Sequence, residues 1–290
     1  MPNDRRHVIY FINLTALLQR LVQGDSFKGN IMSFLPCLLR QIRVWITCAL
    51  SVMPMFSVQA ASPAIPNIVL VHGAFADGSS WARVIALLQN RGYHVSAVQL
   101  PLTSLADDVA ATRRVIARQS GDVILVGHSW GGVVVTETAN MPVVKGVVYL
   151  SAMVPDSGES AAGMLQRLKS PMAGMRPDAD GLIWMDDPTM FRDVMGGDLS
   201  PATAKALAAV AKPIAARSFT DMVTHAAWHD KPTWYLMTED DHALPAAVQR
   251  QLAAQLRAQT MTLRSSHLSL VSHPREVADF IGRAAAGARQ

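Results

Sequence analysis

Six short apolar runs, spaced along residues 67 to 263 and separated by helical patterns, constrain this chain more than any other feature. They are Asn67-Ile68-Val69-Leu70-Val71, His94-Val95-Ser96-Ala97-Val98, Asp122-Val123-Ile124-Leu125-Val126, Gly146-Val147-Val148-Tyr149-Leu150, Thr233-Trp234-Tyr235-Leu236-Met237 and Thr260-Met261-Thr262-Leu263. A strand with one wet face alternates apolar and polar residues; most of these runs do not, which suits a parallel sheet buried on both faces. Ser104 to Arg118, which opens with Ser104 and Asp107 at capping-box spacing, and Ala246 to Ala258 read as helices between them. The expected fold class is therefore α/β, a doubly wound, mostly parallel sheet. From about Pro155 to Trp228 the rhythm lapses into Met, Pro, Gly and acidic residues, with helical pieces such as Ser200 to Ala216 and no strand pattern. Residues 155–228 are expected to form a small helical cap insertion over the carboxyl edge of the sheet.

The chain of 290 residues is half hydrophobic, enough for one large core. Its net charge of +4 invites a nucleic-acid or membrane reading, but the charge is not spread evenly. Residues 1–60 hold six basic residues and two acidic ones, leaving 20 of each sign to residues 61–290 out of totals of 26 and 22. The body is neutral, so no nucleic-acid partner is expected. In the leader, Arg40 and Arg43 precede the apolar run Val44 to Met53, and Val58-Gln59-Ala60 follows. That is a basic n-region, an apolar h-region and a cleavage site, with cleavage expected after Ala60. Pro54 ends the run well short of the roughly 20 residues a spanning helix needs. Residues 1–60 are thus expected to be a leader with a signal peptide. The protein is then exported, periplasmic or secreted, and held at the membrane only if the leader stays on. Residues 1 to 31 do not read as an n-region, and Met32 is a second candidate start. Both cysteines, Cys37 and Cys48, lie in the leader, so a mature chain has no thiol.

Ser129 lies in Gly127-His128-Ser129-Trp130-Gly131, directly after a strand candidate and before an expected helix starting near Gly131. In that strand-turn-helix setting the motif presents a nucleophilic serine. A serine hydroxyl needs a base, and the base needs an orienting carboxylate. His267 follows the last strand candidate, where catalytic groups of open α/β sheets gather; His273, just before Pro274, reads as a helix-start residue. The acid should come between serine and histidine, after a strand. Glu239, Asp240 and Asp241 compete there; Asp241 is preferred for its spacing from Thr238 and Pro245, and Asp240 stays a rival. The oxyanion hole needs two backbone N–H groups, expected from Trp130 and from Ala74 in the loop after the first strand. His225 and His229 lack the glutamate of the zinc-protease pattern, no glycine loop cradles phosphate, and no metal or cofactor is expected. Met164, Met172, Met175, Met185, Met190 and Met195 gather in the insertion, where methionine fills adaptable apolar space.

On these residues the chain resembles the α/β-hydrolase superfamily, and within it the small-cap branch of plant methylesterases, hydroxynitrile lyases and bacterial esterase-like proteins. Val71-His72-Gly73-Ala74, Gly127-His128-Ser129-Trp130-Gly131-Gly132, Trp234 to Asp241 and Ser266-His267-Leu268 carry the resemblance, which extends over about residues 67 to 285. It implies an α/β-hydrolase domain over residues 61–290 and a serine hydrolase with Ser129, Asp241 and His267 as triad. The expected reaction is cleavage of a small-molecule carboxylic ester through an acyl-enzyme. A non-catalytic small-molecule binder and a lyase using the same triad are the alternatives. Lyases of this branch carry a lysine after the catalytic histidine, where this chain has Leu268.

Overall fold

Each apolar run forms a strand in the computed structural model, which describes residues 67–170 and 176–288. Eight strands are present among the described residues: β1 (Asn67–Val71), β2 (His94–Ala97), β3 (Val123–His128), β4 (Val144–Leu150), β5 (Leu182–Ile183), β6 (Ile214–Ala215), β7 (Thr233–Thr238) and β8 (Gln259–Leu263). Six of them build one sheet in the order β2-β1-β3-β4-β7-β8, with every pairing parallel. The central strands β1 and β3 are buried along their whole length, as their unbroken apolar runs require, whereas the edge strands β2 and β8 keep exposed residues. All expectations placed on residues 1–60 lie outside the described residues, as do Met172 and Met175.

The connecting helices are α1 (Ala82–Gln89), α2 (Leu105–Ala117), α3 (Gly131–Thr138), α4 (Ala161–Arg167), α5 (Pro188–Met195), α6 (Pro201–Ala209), α7 (Ala246–Gln255), the single turn α8 (Ser269–Ser272) and α9 (Pro274–Gly287). Ser104 caps α2, its hydroxyl accepting from the Asp107 amide at 3.1 Å. Helices cover both faces of the sheet. A Cβ on Gly146 in β4 would touch Trp234, Ile124 and Ala288 at the end of α9. One on Gly127, three residues beyond Ile124 on β3, would run into Gly131 and Val135 of α3. Strand residues an odd number apart point to opposite faces, so α9 and α3 lie on opposite sides.

Between β4 and β7 the described chain carries the helices α4, α5 and α6 joined by irregular segments, with one departure from expectation. β5 and β6 pair as a two-residue antiparallel ribbon, Leu182 with Ala215 and Ile183 with Ile214. Two residues per strand are too few to show alternation, so the pattern was invisible in sequence. The helical piece expected over Ser200 to Ala216 is α6 alone, capped by Ser200 and ended well before β6. Met164, Met185 and Met195 are buried against the core, and Met190 packs on it half-buried.

Candidate active site

Because the six strands are parallel, the loops leaving β1, β3, β7 and β8 emerge on one edge of the sheet, and each carries one of the singled-out residues. Ser129 follows β3 at once, with a φ of 53° in the left-handed region that side chains avoid. Three glycines make that turn possible by close approach. An added Cβ would lie 2.6 Å from Gly131 O at position 127, 2.6 Å from Val71 O at position 131, and 2.5 Å from Met153 O at position 132. The peptide joining Ser129 to Trp130 is held at its oxygen end, where the Ser129 carbonyl accepts from Gly132 N at 2.9 Å and Met153 N at 3.2 Å. In a trans peptide the N–H opposes the carbonyl, so the Trp130 amide points the other way.

His267 is buried after β8. Its Nδ1 donates to Asp241 Oδ2 at 2.8 Å, so the proton sits on Nδ1 and the lone pair on Nε2. Nε2 is itself buried and makes no hydrogen bond among the described residues. Asp241 follows β7 and is buried in a cradle of donors. Its Oδ1 accepts from the amides of Ala243 and Leu244 at 2.9 and 2.8 Å, and its Oδ2 from Thr238 Oγ1 at 2.8 Å and Gln249 Nε2 at 2.9 Å. Burial works against the charge of Asp241, but the attraction and hydrogen bond of His267, with the Leu244 amide and Thr238 hydroxyl, outweigh it and hold the carboxyl below its usual range. The rival Asp240 points elsewhere: it is exposed, 3.8 Å from the Arg264 guanidinium. The other histidine, His273, stands at the start of α9 with Nδ1 against Ser272 Oγ at 2.8 Å.

Ser129 and His267 line one small cavity of ≈ 40 Å³, with Ala74, Phe75, Met153, Leu165, Met195, Phe219, Ala243 and Leu244 as its other walls. No wall residue besides His267 can carry a charge. The amides of Ala74 and Trp130 donate to no acceptor among the described residues. Two larger open clefts, lined by Asp156 to Ser160 and by Arg113, Arg114 and Arg217, contain neither Ser129 nor His267. His225 and His229 do not converge on a shared point; His225 pairs with Asp230 at 2.6 Å and His229 with Asp156 at 2.7 Å.

Several supports were not read from sequence, because their partners are distant along the chain. His72, fully buried, donates from Nδ1 to Gly73 O at 2.8 Å and accepts the Leu100 amide on Nε2 at 3.0 Å, fixing the loop that holds Ala74. Burial lowers its pKa to about 4. Asp198, from the segment after α5, receives the Ser265 and Ser266 hydroxyls and the Ser266 amide, tying that segment to the loop of His267. Gln249 on α7 braces Asp241 from eight residues away.

The Alpha/beta hydrolase family model matches residues 68–280. Among curated relatives, the protein named Alpha/beta hydrolase nvfD from Aspergillus novofumigatus is 29% identical over 242 residues, 76% of this chain and 96% of that protein. The Carbendazim hydrolyzing esterase of a Nocardioides species is 34% identical over 121 residues, 36% of this chain and 49% of its own. Among solved structures, the pyrethroid hydrolase PytH superposes with a TM-score of 0.68 at 23% identity, covering 78% of this chain and 99% of that one. At that identity the likeness speaks for the fold.

Proposed function

The chain belongs to the alpha/beta hydrolase family, and from that premise we propose that it hydrolyses small carboxylic esters through an acyl-enzyme on Ser129. The observation that carries the reading is His267, which lines a cavity together with Ser129, has Nδ1 bonded to a buried, charged Asp241, and leaves Nε2 without a hydrogen bond among the described residues. Nε2 takes the Ser129 proton as Oγ attacks the ester carbonyl, and Asp241 stabilises the imidazolium that forms. The Ala74 and Trp130 amides receive the oxyanion. His267 returns the proton to the leaving alcohol, and a water then repeats the sequence on the acyl-enzyme. The apolar walls and the small cavity favour a compact, uncharged acyl group. The relative named an esterase supports the reaction class. The leader pattern of residues 40–60 supports export and, with it, a reaction outside the cytoplasm.

The test is a panel of p-nitrophenyl esters with purified protein and with Ser129→Ala, alongside labelling by a fluorophosphonate. Hydrolysis that vanishes in the variant and a label located on Ser129 are expected. Equal hydrolysis by Ser129→Ala, or an unlabelled serine in the parent protein, would overturn the mechanism. The mass of the protein released from an expressing bacterium checks the leader: a chain beginning at Ala61 is expected, and a full-length one in the cytoplasm would refute export.

A further inference from the structure

Asp108, on α2, has no exposed surface. A carboxylate out of water is costly unless donors compensate it, and here both oxygens are engaged. Oδ1 accepts from the Leu102 amide and Oδ2 from the Trp130 indole Nε1–H, each at 2.8 Å. Trp130 is the residue after the nucleophile. Its fully buried ring packs 5.3 Å from Phe219, one wall of the cavity at Ser129. Leu102 has a φ of 62°, a left-handed conformation fixed from both sides by the Asp108 bond and by Ala215 N donating to Leu102 O at 2.9 Å.

The indole therefore has one anchoring hydrogen bond, and that bond reaches α2. The Ser129–Trp130 peptide is pinned at its carbonyl end by Gly132 and Met153; its other end is the Cα that carries the indole. We propose that Asp108 is a positioning residue for ester hydrolysis: by clamping the Trp130 indole it fixes the plane in which the Trp130 N–H meets the oxyanion, and it braces Phe219 against the acyl cavity. This inference rests on the hydrolase reading above. Burial raises the Asp108 carboxyl to about 6, against the Leu102 and Trp130 hydrogen bonds and the nearby Lys212 ammonium, with Asp107 adding slightly to the rise. Lys212 does not pair with it directly; its Nζ donates to Leu100 O at 2.6 Å.

Asp108→Ala removes the acceptor of the indole bond, while Trp130→Phe removes its donor from the other side. Each variant is measured for kcat and KM on a p-nitrophenyl ester and for inhibition by a trifluoromethyl ketone, which forms a tetrahedral adduct needing the oxyanion site. The expected signature is a kcat lower by about tenfold or more, a KM within about twofold, and inhibitor affinity falling in step with kcat. The double variant should be no slower than the slower single one, because both break one bond. Either variant that folds tests the idea. A kcat within twofold of the parent protein, a loss confined to KM, or effects that multiply in the double variant would each overturn it. A parent protein that neither cleaves the esters nor takes the fluorophosphonate would instead overturn the hydrolase reading, and this inference with it.

Discussion

His128 Nε2–H donates to the carbonyl oxygen of His267 across 3.0 Å, so the residue before Ser129 holds the main chain of the proposed base. Their rings lie 4.8 Å apart, and a charge on one would repel a charge on the other. Burial first, and then the His267 ring, push the His128 pKa down to about 3. His128 is thus a neutral donor throughout the range in which the site would work.

That neutrality has a consequence for acid stability. His72 and His128 have folded-state values of about 4 and about 3, against 6.5 when free. The unfolded chain therefore binds protons that the folded chain refuses, and stability falls as pH drops from about 6.5 toward 4. Each group contributes a slope of up to about 1.4 kcal/mol per pH unit. Asp108, raised from 3.8 to about 6, acts in the opposite sense between those values, because its folded form holds the proton more tightly. Urea unfolding of His72→Gln between pH 4 and 7 should show a shallower acid loss than the parent protein; parallel curves would refute the assignment.

The proposed acid, Asp241, can be tested against its neighbour. Asp241→Asn should lose on the order of four decades in kcat, because an amide there no longer enforces the tautomer with the proton on Nδ1. Asp240→Asn, altering an exposed side chain, should stay within about twofold. Steady-state kinetics on one ester decides, and a similar loss in both variants would contradict the geometry.

Gly131→Ala should damage folding and activity together. The new methyl carbon would stand 2.6 Å from Val71 O and 2.7 Å from His72 O, both backbone atoms that cannot swing away. A cost of about 1–3 kcal/mol in denaturant unfolding is expected. Moving β1 from α3 also displaces the Ala74 loop, so kcat should fall as well. An unchanged midpoint would show that the strand can give way freely.

Leu165 on α4 walls the cavity and is nearly fully buried. Leu165→Ala should cost about 2–5 kcal/mol in stability and open room beside Ser129. The ratio of kcat/KM for p-nitrophenyl hexanoate over acetate should rise about tenfold or more. An unchanged ratio would mean that the acyl chain lies elsewhere.

Ser129 and His267 were singled out in local terms, a serine between glycines after an apolar run and a histidine in the loop after another. Asp241 was preferred over Asp240 on its spacing from Thr238 and Pro245, but that spacing left Asp240 open. Main-chain direction decides which of two adjacent loop residues faces inward, and the Thr238, Leu244 and Gln249 donors gather on Asp241. Asp108 and Asp198 were invisible as supports for the same reason: each acts on a residue more than 20 positions away, Asp108 on Trp130 and Asp198 on Ser266.

The sequence by itself determined the sheet and its carboxyl edge, because apolar runs of strand length between helical patterns leave few other ways to bury so much surface. It also pointed to the turn at Ser129, since Gly127, Gly131 and Gly132 surround the serine between an apolar run and a helical segment. The tertiary structure alone decided the β5–β6 ribbon, the turning of Asp240 away from His267, and the bond from Asp108 to the indole of Trp130. Hydrogen bonds act over about 3 Å and require direction, and no spacing along a chain fixes which distant groups fold to that distance.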